Sequence, residues 1–213
     1  MNTSKKQCIA SLIIVEILAV AFCFGVNITH AKPTVVDATF EMYPSTLNLA
    51  GVGKEVICLI ELSGGYDVNN ITPTAIRLNN SIYIDLASPA VVGDYNNNNV
   101  SDLIVAFSRA EIIDFILSEN ITYGNITLTL YGVVSHNLQF AGHNTVAVSN
   151  LIGDVNCDGR VAINDIVEAI AGFRTEEGEV NWNANANFAP VWNRLDILDL
   201  VTIAYHYGEN IGE

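Results

Sequence analysis

Thirteen residues near the C-terminus constrain this chain more than any other stretch: Gly153-Asp154-Val155-Asn156-Cys157-Asp158-Gly159-Arg160-Val161-Ala162-Ile163-Asn164-Asp165. With Asp154 as position one, oxygen side chains fall at one, three and five (Asp154, Asn156, Asp158). Gly159 follows at six, where the backbone must turn sharply, and Asp165 closes the loop at twelve. Calcium takes six to eight oxygens at about 2.3–2.6 Å, and alternate residues of a tight turn can aim theirs inward. Arg160 offers its carbonyl at seven, and Ala162 at nine leaves that place to water. The pattern predicts a Ca2+ loop running into a helix from Ile163 to about Phe173.

The loop closes on Asp where the helix-loop-helix calcium hand usually has Glu, and Leu151-Ile152 leave little room for an entering helix. A second half follows: Asp196-Ile197-Leu198-Asp199-Leu200-Val201-Thr202-Ile203-Ala204-Tyr205-His206-Tyr207-Gly208 reads as a helix ending at its glycine. Together these resemble the dockerin family, whose members carry two calcium half-hands in tandem; the resemblance covers roughly residues 150–212. It implies a small all-α, calcium-dependent domain that docks to a cohesin domain on a surface or scaffold protein. The pairs before each closing acid, Ile163-Asn164 and Ile197-Leu198, are then the partner-choosing positions. Ile163 and Ile197 have a second reading, as packing between the two helices. The second loop departs from the pattern. Counted from Asn187 it is one residue too long, and Ala189 and Val191 stand where oxygens belong. Asn187, Asp196 and Asp199 remain as a degenerate ligand set. Val167, Ile170 and Phe173, with Leu200, Ile203 and Ala204, form stripes expected to join the halves. Residues 175–185 form a polar connector, while Trp182 and Trp192 either anchor on the helices or stack on carbohydrate.

At the other end, Lys5 and Lys6 precede an apolar run from Cys8 to Val26 broken by Glu16, and Thr29-His30-Ala31 offers small residues to a signal peptidase. This predicts a secretory signal over residues 1–31 and a secreted or cell-surface protein. The run exceeds the usual core of about 7–15 residues, so an uncleaved membrane anchor is the alternative. Glu16 opposes a stable span, since an acid at the bilayer centre costs about 2.5–3.5 kcal/mol. Cys23 follows Phe22 rather than a small residue, which speaks against a lipoprotein anchor. Losing the leader takes the net charge from −14 to about −15, a surface unsuited to nucleic acid.

Residues 32–149 read as a β-sandwich module. Val35–Tyr43 alternates, Glu55–Leu62 is a short apolar run, and further strands are predicted at 75–78, 82–86, 103–107, 125–134 and 145–148. Ser108 and Glu111 have capping-box spacing ahead of a helix with Ile112, Ile113, Phe115, Ile116 and Leu117. A second acidic turn spans Gly93 to Asp102. Its oxygens, at Asp94, Asn96, Asn98, Val100 (carbonyl) and Asp102, resemble the short calcium loops that join strands in extracellular proteins. An ordinary Asn-rich turn is the other reading, because Asn tolerates left-handed backbone. The words Tyr43-Pro44-Ser45-Thr46-Leu47-Asn48-Leu49, Gly65-Tyr66-Asp67-Val68 and Gly93-Asp94-Tyr95 resemble a module of secreted archaeal and bacterial proteins. That resemblance informs only fold and setting. Sequons at Asn70, Asn79, Asn99, Asn120 and Asn125 are candidate glycosylation sites.

Cys58 and Cys157, the two cysteines beyond the leader, make no disulfide framework; Cys58 reads as core and Cys157 as a filler of the loop. Asp37, Glu41, Glu61 and Asp85 read as solvated sheet acids rather than a glycosidase pair. His136, His143 and His206 lack zinc spacing, and no serine sits in a nucleophile elbow, so the chain is expected not to be an enzyme. The expected function is calcium-dependent docking, with the sandwich as cargo or ligand-binding module. Two rivals remain: a structural or adhesive envelope protein whose tail packs on the sandwich, and a subunit of a polysaccharide-degrading assembly.

Overall fold

The computed structural model describes residues 35–135, 138–179, 181–189 and 193–212. The expected leader lies outside them, as do His136, Val191 and Trp192. Among the described residues no helix is long and apolar enough to cross a membrane.

The fold is mainly β. Among the described residues, nine strands are β1 (Val35–Tyr43), β2 (Thr46–Asn48), β3 (Glu55–Leu62), β4 (Arg77–Leu78), β5 (Ile82–Tyr83), β6 (Val91–Gly93), β7 (Asp102–Ser108), β8 (Tyr123–Val134) and β9 (Leu138–Ser149); three helices are α1 (Arg109–Ser118), α2 (Ile163–Ala171) and α3 (Ile197–Tyr205). In β1 strict alternation turns Val36, Ala38, Phe40 and Met42 inward, as period-two side-chain geometry requires. The strands form one sheet in the order β5-β4-β8-β9-β1-β3-β7-β6, with β2 added on β9. This continuity is where the architecture departs from two separate antiparallel sheets. β1 belongs to both halves, pairing parallel to β9 through Val35–Asp37 and antiparallel to β3 from Ala38 onward. Ile84 then bridges to Phe107, so the sheet curls round one apolar core. The strand expected from residue 75 starts later, because Pro73 opens a 3-10 turn instead. The strand expected at 145–148 is the end of a longer β9, twelve residues that pair with β8 throughout.

Helix α1 starts as its spacing implies: Ser108 Oγ accepts the amide of Glu111 at 3.4 Å. Ile112 and Ile116 are buried in the sheet core, whereas Leu117 is exposed. Cys58 and Cys157 are both buried free thiols. Of the sequon asparagines, Asn70, Asn99, Asn120 and Asn125 are exposed, while half-buried Asn79 spends its side-chain oxygen on the amide of Thr129 at 2.7 Å. A glycan on Asn79 would break that bond.

The stretch after β9 does not form a separate body; residues Thr34–Glu213 are one compact unit. A small second core, made by Val155, Val161, Ala169, Ala186, Leu195 and Ile203, sits under α2 and α3. What joins it to the sheet is polar and buried. Asn185 Oδ1 accepts from the Asn48 amide (2.9 Å) and from Arg109 Nη2 (2.9 Å), while its Nδ2 donates to Thr46 O (2.9 Å) and Val155 O (3.2 Å). Arg109 also donates to Asn48 O (2.6 Å) and Gly51 O (3.3 Å), and Asn48 Nδ2 donates to the carbonyls of Leu151 (2.8 Å) and Asp154 (2.7 Å). The connector expected to be a polar spacer thus supplies the central residue of the junction. Glu177, from the same connector, accepts the amides of Lys54 and Glu55.

Leaving a buried donor or acceptor without a partner costs about 1–3 kcal/mol, more for a charged group. Asn185→Ala strands several at once. It is expected to lower unfolding free energy by about 2–4 kcal/mol, measured by urea denaturation, and to do so in a single transition followed at both the sheet and helix signals. Separate transitions would show that the two cores are independent.

Candidate metal centre

The Asp154 loop follows β9 directly and is organised by its own side chains. Asp154, fully buried, accepts the amides of Asp158 and Gly159, each at 3.0 Å, one on each carboxylate oxygen. Asn156 Oδ1 accepts from the Asp158 amide (3.0 Å) and Asp158 Oδ1 from the Arg160 amide (2.9 Å). Two left-handed residues make this turn, Cys157 (φ 58°) and Gly159 (φ 89°). At Gly159 a Cβ would come within 2.6 Å of Tyr123 Oη, so glycine answers a close approach as well as the dihedral.

Asp165, in the first turn of α2 and equally buried, closes the loop. Its Oδ1 accepts the amides of Val155 (2.7 Å) and Asn156 (3.2 Å), and its Oδ2 accepts that of Ala162 (2.8 Å). The end of the loop therefore holds its beginning. A carboxylate has about four lone-pair sites, so Asp154 and Asp165 keep acceptor capacity beyond these amides. Burial raises the pKa of Asp154, and the charge of Asp165 adds to the rise, while Ser149 and the Gly159 and Asp158 amides pull the other way. Sequence reasoning missed Glu168. Partial desolvation and then the charges of Asp165, Asp158 and Asp154 raise its pKa; the signal that finds it is its i, i+3 spacing from Asp165 on one helix face. The ion pair found among the described residues, His206 with Glu209 at 2.9 Å, lies elsewhere.

The donor set is chemically uniform: carboxylate, amide and carbonyl oxygens, the ligands of a hard cation. Cys157 does not join it. Burial, followed by Asp154, pushes its thiol up to about 12, and it packs beside Thr46, Leu47 and Arg109 at the junction rather than merely filling the turn. Among the described residues no three His, Cys, Asp or Glu side chains meet as a ready-made metal cluster. The oxygens are spread along a turn and steadied by amides.

The second half repeats the closure without the ligands. Asp199 Oδ1 accepts the amides of Phe188 (2.8 Å) and Ala189 (2.9 Å), and its Oδ2 that of Asp196 (2.8 Å), matching Asp165 bond for bond. Asp196 caps α3 through the Leu198 amide at 2.7 Å. Asn187, however, is a strut to the β2–β3 loop: Nδ2 donates to Val52 O (2.9 Å) and its carbonyl accepts the Val52 amide (2.6 Å). Asp199 thus closes this half and Asp196 caps α3, while Asn187 is tied to the β2–β3 loop.

The Asp94 turn has the hydrogen-bond order of the Asp154 loop. Asp94 accepts the amides of Asn98 (3.1 Å) and Asn99 (3.0 Å), Asn96 accepts that of Asn98 (3.1 Å), and Asn98 accepts that of Val100 (2.7 Å). Asn97 and Asn99 take the left-handed conformations that Cys157 and Gly159 take in the other loop.

Helix α2 buries a different face from the one expected, while α3 buries the expected Ile203 with Leu200 beside it and leaves Ala204 out. Ala169 and Ile203 are buried and Ile166 and Leu200 pack beside them, while Val167, Ile170 and Phe173 of the expected stripe, with Ala204, face out. Ile163 and Ile197 are each 59% exposed and Leu198 49%, which removes their reading as packing between the helices. Asn164 is exposed beside them. Trp182 packs partly on the second core, as an anchor, and also lines a groove with Tyr43 and Tyr95.

No protein-family model matches the chain, and no curated protein matches it in sequence.

A carboxyl whose folded pKa is raised destabilises the fold when ionised, and that penalty is relieved as pH falls through the folded pKa. In chelator, the parent chain is therefore expected to gain stability relative to Asp154→Asn on acidification from neutrality, measured by paired urea titrations across pH. A constant difference would show that Asp154 is not titrating in the fold.

Proposed function

We propose that this chain is a secreted calcium-dependent docking protein, a β-sandwich carrying a dockerin-like module that binds a cohesin-type surface or scaffold protein. The observation that carries the reading is the repeat. Two loop-and-helix units close on Asp165 and Asp199 through matching amide contacts, and each presents an isoleucine, Ile163 or Ile197, to solvent at the same place. Val167, Ile170, Val201 and Tyr205 extend that exposed apolar face. Contiguous exposed apolar surface rimmed by polar residues is how a protein-binding site presents itself.

In this reading Asp154, Asn156, Asp158, Asp165 and the Arg160 carbonyl hold Ca2+. The cation would supply positive charge along a loop that carries two buried carboxylates, Asp154 and Asp165, and the exposed Asp158, and so fix the start of α2. The Asp199 half is held by hydrogen bonds alone. Calcium thereby sets the position of Ile163 relative to Ile197, which couples metal to partner affinity.

A second reading has its own observation. The Asn185 junction fixes the C-terminal helices to the sheet, which favours a structural or adhesive envelope protein whose tail serves the chain itself. The two readings separate on the exposed face. Ile163→Asp with Ile197→Asp is expected to leave calcium affinity within about twofold and to weaken capture by a cohesin panel at least tenfold, about 1.4 kcal/mol or more. Asp154→Ala is expected to abolish capture together with the calcium bound by this loop. Calorimetry and pull-down measure this. A parent chain that binds calcium but no cohesin of the panel would favour the envelope reading.

A further inference from the structure

We propose that the β6–β7 turn, together with Glu61 of β3, is a second calcium site of cross-strand construction. It stands apart from docking and requires no partner.

The decisive atom is on Asp102. Its side chain is fully buried at the start of β7; Oδ2 accepts the Tyr95 amide at 2.7 Å, and Oδ1 has no hydrogen-bond partner. A buried carboxylate oxygen left so is costly, and such atoms are rare in folded proteins. Beside it stands Glu61, which sequence alone assigned to a solvated sheet face. Asn96 Nδ2 and Asn98 Nδ2 both donate to Glu61 Oε1, at 2.6 and 2.7 Å, so the turn is folded over β3 and directed at this carboxylate. Burial first, and then contact with Glu61, raise the pKa of Asp102 against the opposing pull of the Tyr95 amide.

Asp94 and Asp102 of the turn and Glu61 of the strand beneath it do not meet as a ready-made three-carboxylate cluster, but among the described residues none of them is ion-paired. The oxygens on hand are those three carboxylates, the amide oxygens of Asn96 and Asn98, and the Val100 carbonyl. That makes six donor groups, the lower bound for calcium, and the Asn96 and Asn98 amides that donate to Glu61 would turn for their oxygens to join them. The set has no nitrogen or sulfur donor suited to zinc. Its length and flexible Asn content suit calcium's loose geometry better than the strict octahedron magnesium demands. Asp102 plays here the part that Asp165 plays in the other loop, accepting the amide of position two, but from a strand and at position nine. Glu61 adds a carboxylate from a neighbouring strand, and a cation there would tie β3, β7 and the turn together.

The test is calcium calorimetry on the purified full chain, with magnesium as control and circular dichroism to monitor folding. The parent is expected to bind two calcium ions, and Asp154→Ala to retain one. Adding Glu61→Gln or Asp94→Asn to Asp154→Ala should weaken the retained site at least tenfold, and magnesium should not replace calcium. Loss of all binding in Asp154→Ala would overturn the proposal. So would a retained site indifferent to Glu61→Gln, meaning that Glu61 and Asp102 share a proton instead. If Asp154→Ala does not fold, Glu61→Gln in the parent decides the question: one of two sites must weaken. A chain that keeps the Glu61-dependent site and lacks the Asp154-dependent one would sink docking and leave this site standing.

Discussion

A buried guanidinium holds this molecule together. Arg109 is 1% exposed in the first turn of α1 and, among the described residues, makes no salt bridge; burial lowers its pKa to about 10, with Cys157 and Glu177 pulling it back up. An ion so desolvated persists only where oxygens replace its water. Those oxygens come from Asn48 and Gly51 on the sheet side and from Asn185 on the helical side. The same Asn48 holds the carbonyls of Leu151 and Asp154. A contact that begins as charge solvation in the sheet therefore ends by setting the backbone of the first residue of the Asp154 loop. Cys157, buried beside Arg109, is part of the same contact.

The Asp154 loop was legible because the pattern it matches places oxygens at fixed intervals and a glycine at a fixed turn. That pattern acts within a dozen residues. The junction acts across 137 residues, from Asn48 to Asn185, and Asn185 sits in a run of Asn and Ala whose composition suggests only a spacer. Glu61 was hidden for a related reason: a strand's alternation tells which side chains face out, but not what lies over them. Strand positions followed from alternation in β1 and from an apolar run in β3. The three-residue β2 and β6 carry no readable period.

The face of α2 was misread for a different physical reason. A search for large apolar residues at helical spacing selects Val167 and Ile170, yet close helix packing favours small contacts, and Ala169 is the residue buried opposite Ile203. Large side chains left outside are then surface, not core. The expected exclusion of catalysis is a separate matter, resting on side-chain chemistry rather than on packing.

The pairing of β1 with β9 has a mechanical consequence. The two strands run parallel, and β9 leads straight into the Asp154 loop. Tension drawing the start of β1 one way and the helical end the other would slide these strands lengthwise. Their hydrogen bonds would be strained together rather than opened one by one. With no free linker between sheet and helices to stretch first, force arriving at the C-terminal helices would reach β9 at once, and the sheet would yield as a unit.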